Sequence, residues 1–392
     1  MRIFSVLFLI FDINIINFKN MFEGTVVRGI RMPMFKEGDD LREIIVSTLL
    51  EESHRGQNYT TGDKDVIGIT ESVVARCQGN YVTVDDIATD IKTIFGNPDE
   101  VGVVWPIFSR NRFAMILKGI ARGTKKVLLQ LGTGIDDVGN EFLNPYTGVN
   151  IIQYYKDIIE GEEAQCEIFL DDFTNTIPDR TKNIIIAETH KAELTVEMWS
   201  RIYGNHHFIT LADICNKEVP GRKGWNEDYG LYGSNKAGEE LLKLFPRKVP
   251  AQTLVEGIQA DIKRERGADV EVMVYGDGCF KDPVSGIWEF ADPVVSPAYT
   301  KGLEGCPNEV KIKYLLDTDL KDSENPEEDI EKIIEKSKKE ESLVGKMISQ
   351  GTTPRRYVDL LGSLFDLTSG SGAKGTPVVI AQGYFDSYEA DY

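Results

Sequence analysis

The sequence has few of the residues on which common metal and hydrolytic chemistries depend. Its five cysteines, at 77, 166, 215, 279 and 306, make no CxxC pair and no Cys/His cluster at ligand spacing, which excludes a zinc ribbon or finger. Odd in number and widely spaced, they give no disulfide framework and fit a reducing cytoplasm. Only four histidines are present, and no GxSxG or HExxH motif occurs, so hydrolase triads and zincins have no support. Basic charge is scarce too. The 44 Lys and Arg face 63 Asp and Glu, a net charge of -19. Such a field repels phosphate backbones and anionic headgroups and excludes nucleic acid and membrane surfaces as main partners. No apolar run spans a bilayer: that in the first twenty residues is interrupted by Asp12 and has no small-residue cleavage site. Their Phe, Ile, Asn and Lys content matches read-through of A/T-rich DNA, and Met21 is the expected start, with a weak export signal as the alternative.

What remains is ordinary globular chain. With 392 residues, 41% hydrophobic and 27% charged, the polypeptide can bury a substantial core and divide into two or three domains. TVVRGI after Gly24 reads as a strand and KEGDDLREIIVSTLLEE as a turn and helix, with Asp40 and Glu43 as a capping box. VIGIT at 66–70 reads as a buried strand feeding a short helix, and 85–95 as an amphipathic helix. After Pro98 strand and helix patterns alternate through VGVVW, SRNRFAMILKGIA, KVLLQL, NIIQYYKDIIEG, CEIFLDD, NIIIAET, AELTVEMWSRIYG and HHFITLADI. That rhythm implies βαβ crossovers and a parallel sheet. The expected organisation is an overlong start at 1–20, a core segment at 21–100, an inserted α/β module at 101–217, and a second core segment at 218–392. Later come a helix at about 250–265, the strand VEVMVY at 270–275, a long loop from GDGCF to TKGLEG, and an exposed helix at SENPEEDIEKIIEKSKKEESL. The chain closes as helix, glycine loop and strand.

Several clusters are candidates for chemistry. Gly370, Gly372, Lys374 and Gly375 lie in TSGSGAKGT, but this loop leaves a helix and enters a strand, the reverse of a P-loop. Its amides and Lys374 can still cradle an anion; a surface turn is the alternative. LGTGIDDVG, from Leu131, lacks GxGxxG spacing and reads as a turn. Asp277 in GDG follows a strand, which suits either a Mg²⁺ or Mn²⁺ ligand or hairpin chemistry. Asp39, Asp40 and the pairs Asp85/Asp86 and Asp171/Asp172 read as caps. His190, His206 and His207 lack catalytic partners, and the last two point to opposite faces of a strand.

Taken in order, GIRMPMFKEGDDL, ITESVVARCQGN, GLYGSN, VYGDGCFKDP, ADPVVSPAYT and GAKGTPVVIAQG resemble the coenzyme F(420):L-glutamate ligase family. The resemblance covers about 24–97 and 226–387, with a much longer segment between. It implies an α+β fold, a glutamate-ligase-like core interrupted by an inserted parallel α/β module. It further implies dimers, GTP (or ATP) and Mg²⁺ or Mn²⁺, and an amide formed between a phospholactate-tailed deazaflavin carboxylate and glutamate. The nucleotide-wrapping loop of the family falls on Met32, Pro33, Met34 and Phe35. Its basic strand-to-helix residues fall on Ser72 and Arg76, its nucleotide-contacting Asn on Asn235 after Ser234, and its metal-binding Asp-Thr pair on Asp277 and Gly278. Tyr232 stands where another metal-binding aspartate is expected, with Asp228 or Glu227 as a substitute. The last glycine loop, Gly370, Ser371, Gly372 and Lys374, completes the set. Asp277 and Arg76 are thus the expected catalytic residues, and Asp277 with Asp228 the expected metal ligands. The changed ligands and enlarged insert leave a folate or peptide-like carboxylate open as acceptor. Two other readings fit these residues: a non-catalytic nucleotide-binding protein on the same fold, and a transferase acting through 101–217.

Overall fold

Hydrophobic alternation sets two sheets. The computed structural model describes residues 24–51, 60–107, 110–132, 148, 150–170, 176–188, 192–281, 288–304, 312–337, 357–370 and 374–385. The chain begins with β1 (Val26–Ile30), α1 (Leu41–Leu50), β2 (Val66–Thr70), α2 (Glu71–Cys77), β3 (Tyr81–Thr83) and α3 (Val84–Phe95). A strand–helix alternation follows: β4 (Glu100–Val104), α4 (Arg110–Arg122), β5 (Lys126–Leu131), α5 (Ile151–Gly161), β6 (Gln165–Leu170), β7 (Asn183–Ile186), α6 (Ala192–Ile202) and β8 (His207–Thr210). The rest comprises β9 (Ser234–Lys236), β10 (Leu241–Leu244), α7 (Lys248–Arg266), β11 (Glu271–Lys281), β12 (Trp288–Tyr299), α8 (Ile312–Asp317), α9 (Pro326–Ser337), α10 (Tyr357–Ser369) and β13 (Val378–Gln382). The fold is α+β.

The expected parallel sheet is present, in the order β6-β5-β4-β7-β8 with every pairing parallel. Successive strand residues alternate between its faces, the period-two rule of extended chain. Val101, Val103, Val127, Leu129 and Ile185 meet α3, α4 and α5 on one face. Val104, Leu128, Ile184, Ile186 and Phe208 meet α6 and the 3-10 turn at Ile177–Asp179 on the other. Covered on both sides, its strands read as continuous apolar runs. The cluster on the first face extends from Val82 to Leu244, so α3 and Leu231, Tyr232 and Leu242 share the core of this sheet.

A second five-stranded sheet, β1-β13-β2-β11-β12, is mixed, with β2 and β11 its parallel pair. One face packs on α1 and α7 through Ile45, Leu49, Val255, Ile258 and Ile262, the other on α10 through Leu361 and Phe365. Gly68 leaves room for Phe365, since a Cβ there would lie 2.2 Å from its ring. A small sheet, β3-β10-β9, joins the two halves.

Two expectations are corrected. The segment from GDGCF to TKGLEG is largely two long antiparallel strands, β11 and β12, rather than a loop. Asp277 therefore lies within a strand, beside irregularities in register at Gly276 and Gly278, and is not a hairpin turn. The glycines that suggested a turn instead mark the bulged stretch of a paired strand. The Asp40 side chain accepts from the Glu43 amide at 3.0 Å, so Asp40 caps α1 as expected.

Candidate active site

Parallel strands β2 and β11 run in register, Ile69 beside Val274 and Thr70 beside Tyr275. Their carboxyl ends lie together, the edge at which open α/β sheets receive ligands. The next residues are Glu71, opening α2, and Gly276. A Cβ at 276 would sit 2.0 Å from Glu71 Cγ, so glycine is what lets the glutamate lie against the strand. Glu71 is 3% exposed, and its Oε1 accepts from Asn235 Nδ2 at 3.1 Å. Asn235 lies across the β9–β10 ladder from Lys243. Lys243, itself buried, donates from Nζ to Ser72 Oγ. A carboxylate, an amide, an ammonium and a hydroxyl thus converge from three elements, α2, β9 and β10, with Glu71 and Lys243 buried and Ser72 and Asn235 half-buried. Low local polarity strengthens each of these contacts.

The structure places the other expected residues around this centre. Asp277 follows Gly276 on β11, with its side chain outside what is described. Ser371 and Gly372 lie outside the described residues. The amide of Met32 donates to the Gly375 carbonyl at 3.0 Å, so the loop 32–35 adjoins the last glycine loop. Within that loop Met34 is 87% exposed and Pro33 exposed, whereas Phe35 is buried against the helices of the mixed sheet. Gly370 takes a positive φ of 60°, and the Lys374 chain lies over it, a Cβ there meeting Nζ at 2.9 Å. Arg76 is exposed in the last turn of α2, about 6 Å of helix rise from Ser72. Asp228 is paired with Lys248 at 3.1 Å. Tyr232 is fully buried, and its hydroxyl donates to the Glu188 carbonyl at 2.6 Å beyond the end of β7, tying the Gly230–Gly233 turn to the parallel sheet. Among the described residues no three His, Cys, Asp or Glu side chains gather as a metal cluster.

A protein-family model described as F420-0:Gamma-glutamyl ligase matches residues 29–383. The chain belongs to the F420-0:gamma-glutamyl ligase family. A comparison with curated proteins finds no match. The γ-glutamyl ligase match spans nearly the whole chain and identifies an enzyme family acting on small molecules. In this γ-glutamyl ligase relative, two central residues escaped sequence reasoning. Glu71 stands in ITESVV at a strand end, a position where an acidic residue is a recognisable signal. Lys243 carried none: in LLKLF it reads as the outward residue of a strand, and only the β9–β10 pairing brings it to Ser72.

One hard anionic oxygen donor is described at this centre. Glu71 offers a buried carboxylate oxygen beside the strand that carries Asp277, and hard oxygen donors suit Mg²⁺ and Mn²⁺.

Proposed function

We propose that this chain is a GTP- or ATP-dependent, divalent-metal-dependent ligase joining the amine of glutamate or a similar amino acid to a carboxylate acceptor. The observation that carries this reading is the convergence of Glu71, Asn235, Lys243 and Ser72 at the carboxyl ends of β2 and β11, in a chain of the γ-glutamyl ligase family. Joining carboxylate and amine in water is uphill, so the acceptor carboxylate oxygen first attacks the γ-phosphorus and the nucleoside diphosphate leaves. The amine nitrogen then attacks the carbonyl carbon of the acyl phosphate. Inorganic phosphate departs with the C–O bonding pair, and the nitrogen loses its proton to water. Lys243, aligned by Ser72, sets a positive charge where the phosphoryl group passes. Glu71 and Asp277 would hold Mg²⁺ or Mn²⁺, which neutralises triphosphate charge when bound. Met32, Gly370 and Lys374 are proposed on the nucleotide side, and the active species as a dimer. The non-catalytic alternative drew on the loss of aspartate at 232 and of lysine at 72; for the second, Lys243 supplies an ammonium beside Ser72.

The test is thermal unfolding with GTP or ATP, with and without Mn²⁺. A nucleotide at a hundred times its dissociation constant stabilises the native state by about 2.7 kcal/mol. Glutamate and candidate acids should then release phosphate, and Glu71→Gln should suppress release by a factor of about 100 or more. If neither nucleotide moves the midpoint with metal present, the ligase reading fails.

A further inference from the structure

The parallel sheet has a switch point of its own. From β4 the chain moves outward through β5 to β6, then crosses back to place β7 on the other side of β4. The carboxyl ends of β4 and β7 therefore border the crevice where such sheets take ligands. The segment Tyr232–Asn235 lies beside that edge, held by the Tyr232 hydroxyl on the Glu188 carbonyl. Arg112, in the first turn of α4 behind β4, reaches the same segment: Nη1 donates to the Ser234 carbonyl at 2.9 Å. It is 4% exposed. Among the described residues that bond is its only one, Nε is buried without a partner and no carboxylate pairs with it. Burying a guanidinium without a counter-charge is costly, and the cost is relieved when an anion docks on it.

The edge left unpaired is informative. With Nη1 on Ser234, the Nε–Nη2 edge remains, and its two parallel N–H groups match the two oxygens of a carboxylate. Arg112 binds the peptide immediately before Asn235, whose side chain holds Glu71. The inserted module thus brings a cation to the border of the ligase centre, where Lys243 and Ser72 already serve the phosphoryl group. Resting on the ligase reading, we propose that Arg112 binds the non-reacting carboxylate of the amino-acid substrate, making the inserted module part of the substrate site.

The experiment uses the full chain with Arg112→Lys, which keeps the charge and loses the fork, and Arg112→Met, which keeps only the stem. Midpoints are measured with L-glutamate, with inorganic phosphate and with GTP or ATP plus Mn²⁺, and kcat and KM are measured for each substrate. Expected are a KM for the amino acid raised at least about tenfold in Arg112→Lys, loss of the glutamate-induced shift in Arg112→Met, and an unchanged nucleotide-induced shift in both, consistent with loss of one bidentate contact. An unchanged amino-acid KM in Arg112→Lys, or a glutamate shift retained in Arg112→Met, overturns the assignment. So does loss of the phosphate or nucleotide response instead of the glutamate response. If Arg112→Met fails to fold, the glutamate dissociation constant of Arg112→Lys decides. Should no nucleotide bind the unaltered protein, the ligase reading fails; a glutamate shift there that both variants lose still sustains Arg112 as a carboxylate site, and its absence overturns that too.

Discussion

Single side chains show how this acidic chain uses its limited basic residues. Arg42 pairs in fork geometry with Asp261, Nε to Oδ2 at 2.6 Å and Nη2 to Oδ1 at 2.7 Å, and Arg264 adds a third contact at 2.7 Å. These contacts, the Arg42 hydrogen bond foremost, hold the Asp261 carboxyl at about 2, below its ordinary 3.8. A carboxyl lowered by folding contributes stability that is present above its unfolded value and lost as pH falls toward its folded one. The gap in unfolding midpoint between the unaltered chain and Arg42→Met should accordingly be full at pH 5 and close progressively between about pH 4 and pH 2. Thermal unfolding across that range checks it, and a gap independent of pH would show that the pair contributes through packing alone. Burial acts in the other direction at Cys77 and Cys166, where desolvation raises each thiol to about 11. Both are free and stay protonated at neutral pH, as expected of thiols with a packing role.

Among the elements, α3 is the one whose start is most fully specified. Thr83 Oγ1 accepts from the Asp86 amide at 3.1 Å, and Asp86 Oδ2 accepts from the Thr83 amide at 2.7 Å. Gly96 closes the helix in the left-handed region at φ 70°. Between these caps Ile87 and Ile91 are fully buried against α4, where Gly119 and, just past the helix end, Gly123 admit them: a Cβ at either would lie 2.6 or 2.9 Å from an isoleucine Cβ. Thr83→Ala removes one half of the box and should cost about 1 kcal/mol of unfolding free energy, readable by urea denaturation. The apolar period of 85–95 was visible in the sequence, whereas the cap expected at Asp85/Asp86 is Thr83, with Asp86 closing the box from the third helical position. The partner of α3 was not visible, because i, i+4 spacing reveals a buried face without naming the surface that covers it.

For the whole molecule, the continuity of one core matters most. The cluster beneath the parallel sheet takes Val82, Ile87 and Ile91 from before β4 and Leu231, Tyr232 and Leu242 from after β8. Asp90 on α3 also accepts the Cys215 amide at 2.7 Å and pairs with buried Arg222 at 2.8 Å. Excising 101–217 would strip apolar cover from these residues and leave a charge pair distorted in the interior. The shortened chain should be insoluble or lack a cooperative transition by calorimetry; a sharp, reversible transition near that of the full chain would show that the flanking segments need no inserted sheet. No helix of the described residues is long and apolar enough to cross a membrane, in keeping with the charge of -19.

The sequence by itself determined the family and most of the elements, the β11–β12 ladder excepted. Apolar runs of four to six residues spaced by amphipathic helices specify a parallel sheet, because strands covered on both faces have no polar side to show. Ordered motifs from GIRMPMFKEGDDL to GAKGTPVVIAQG sufficed for the ligase resemblance. Tertiary structure alone decided which groups meet. Tyr232, which stands where a metal-binding aspartate is expected, is a buried tie to β7, and GDG, for which a hairpin turn was one reading, lies inside a strand. Lys243 and Arg112 reach the centre from 171 residues beyond Ser72 and 122 residues before Ser234, respectively. Local sequence sets backbone preference and which face is apolar over a few residues. Strand register and helix packing, summed over distant segments, set which charge faces which, and that is where the site is made.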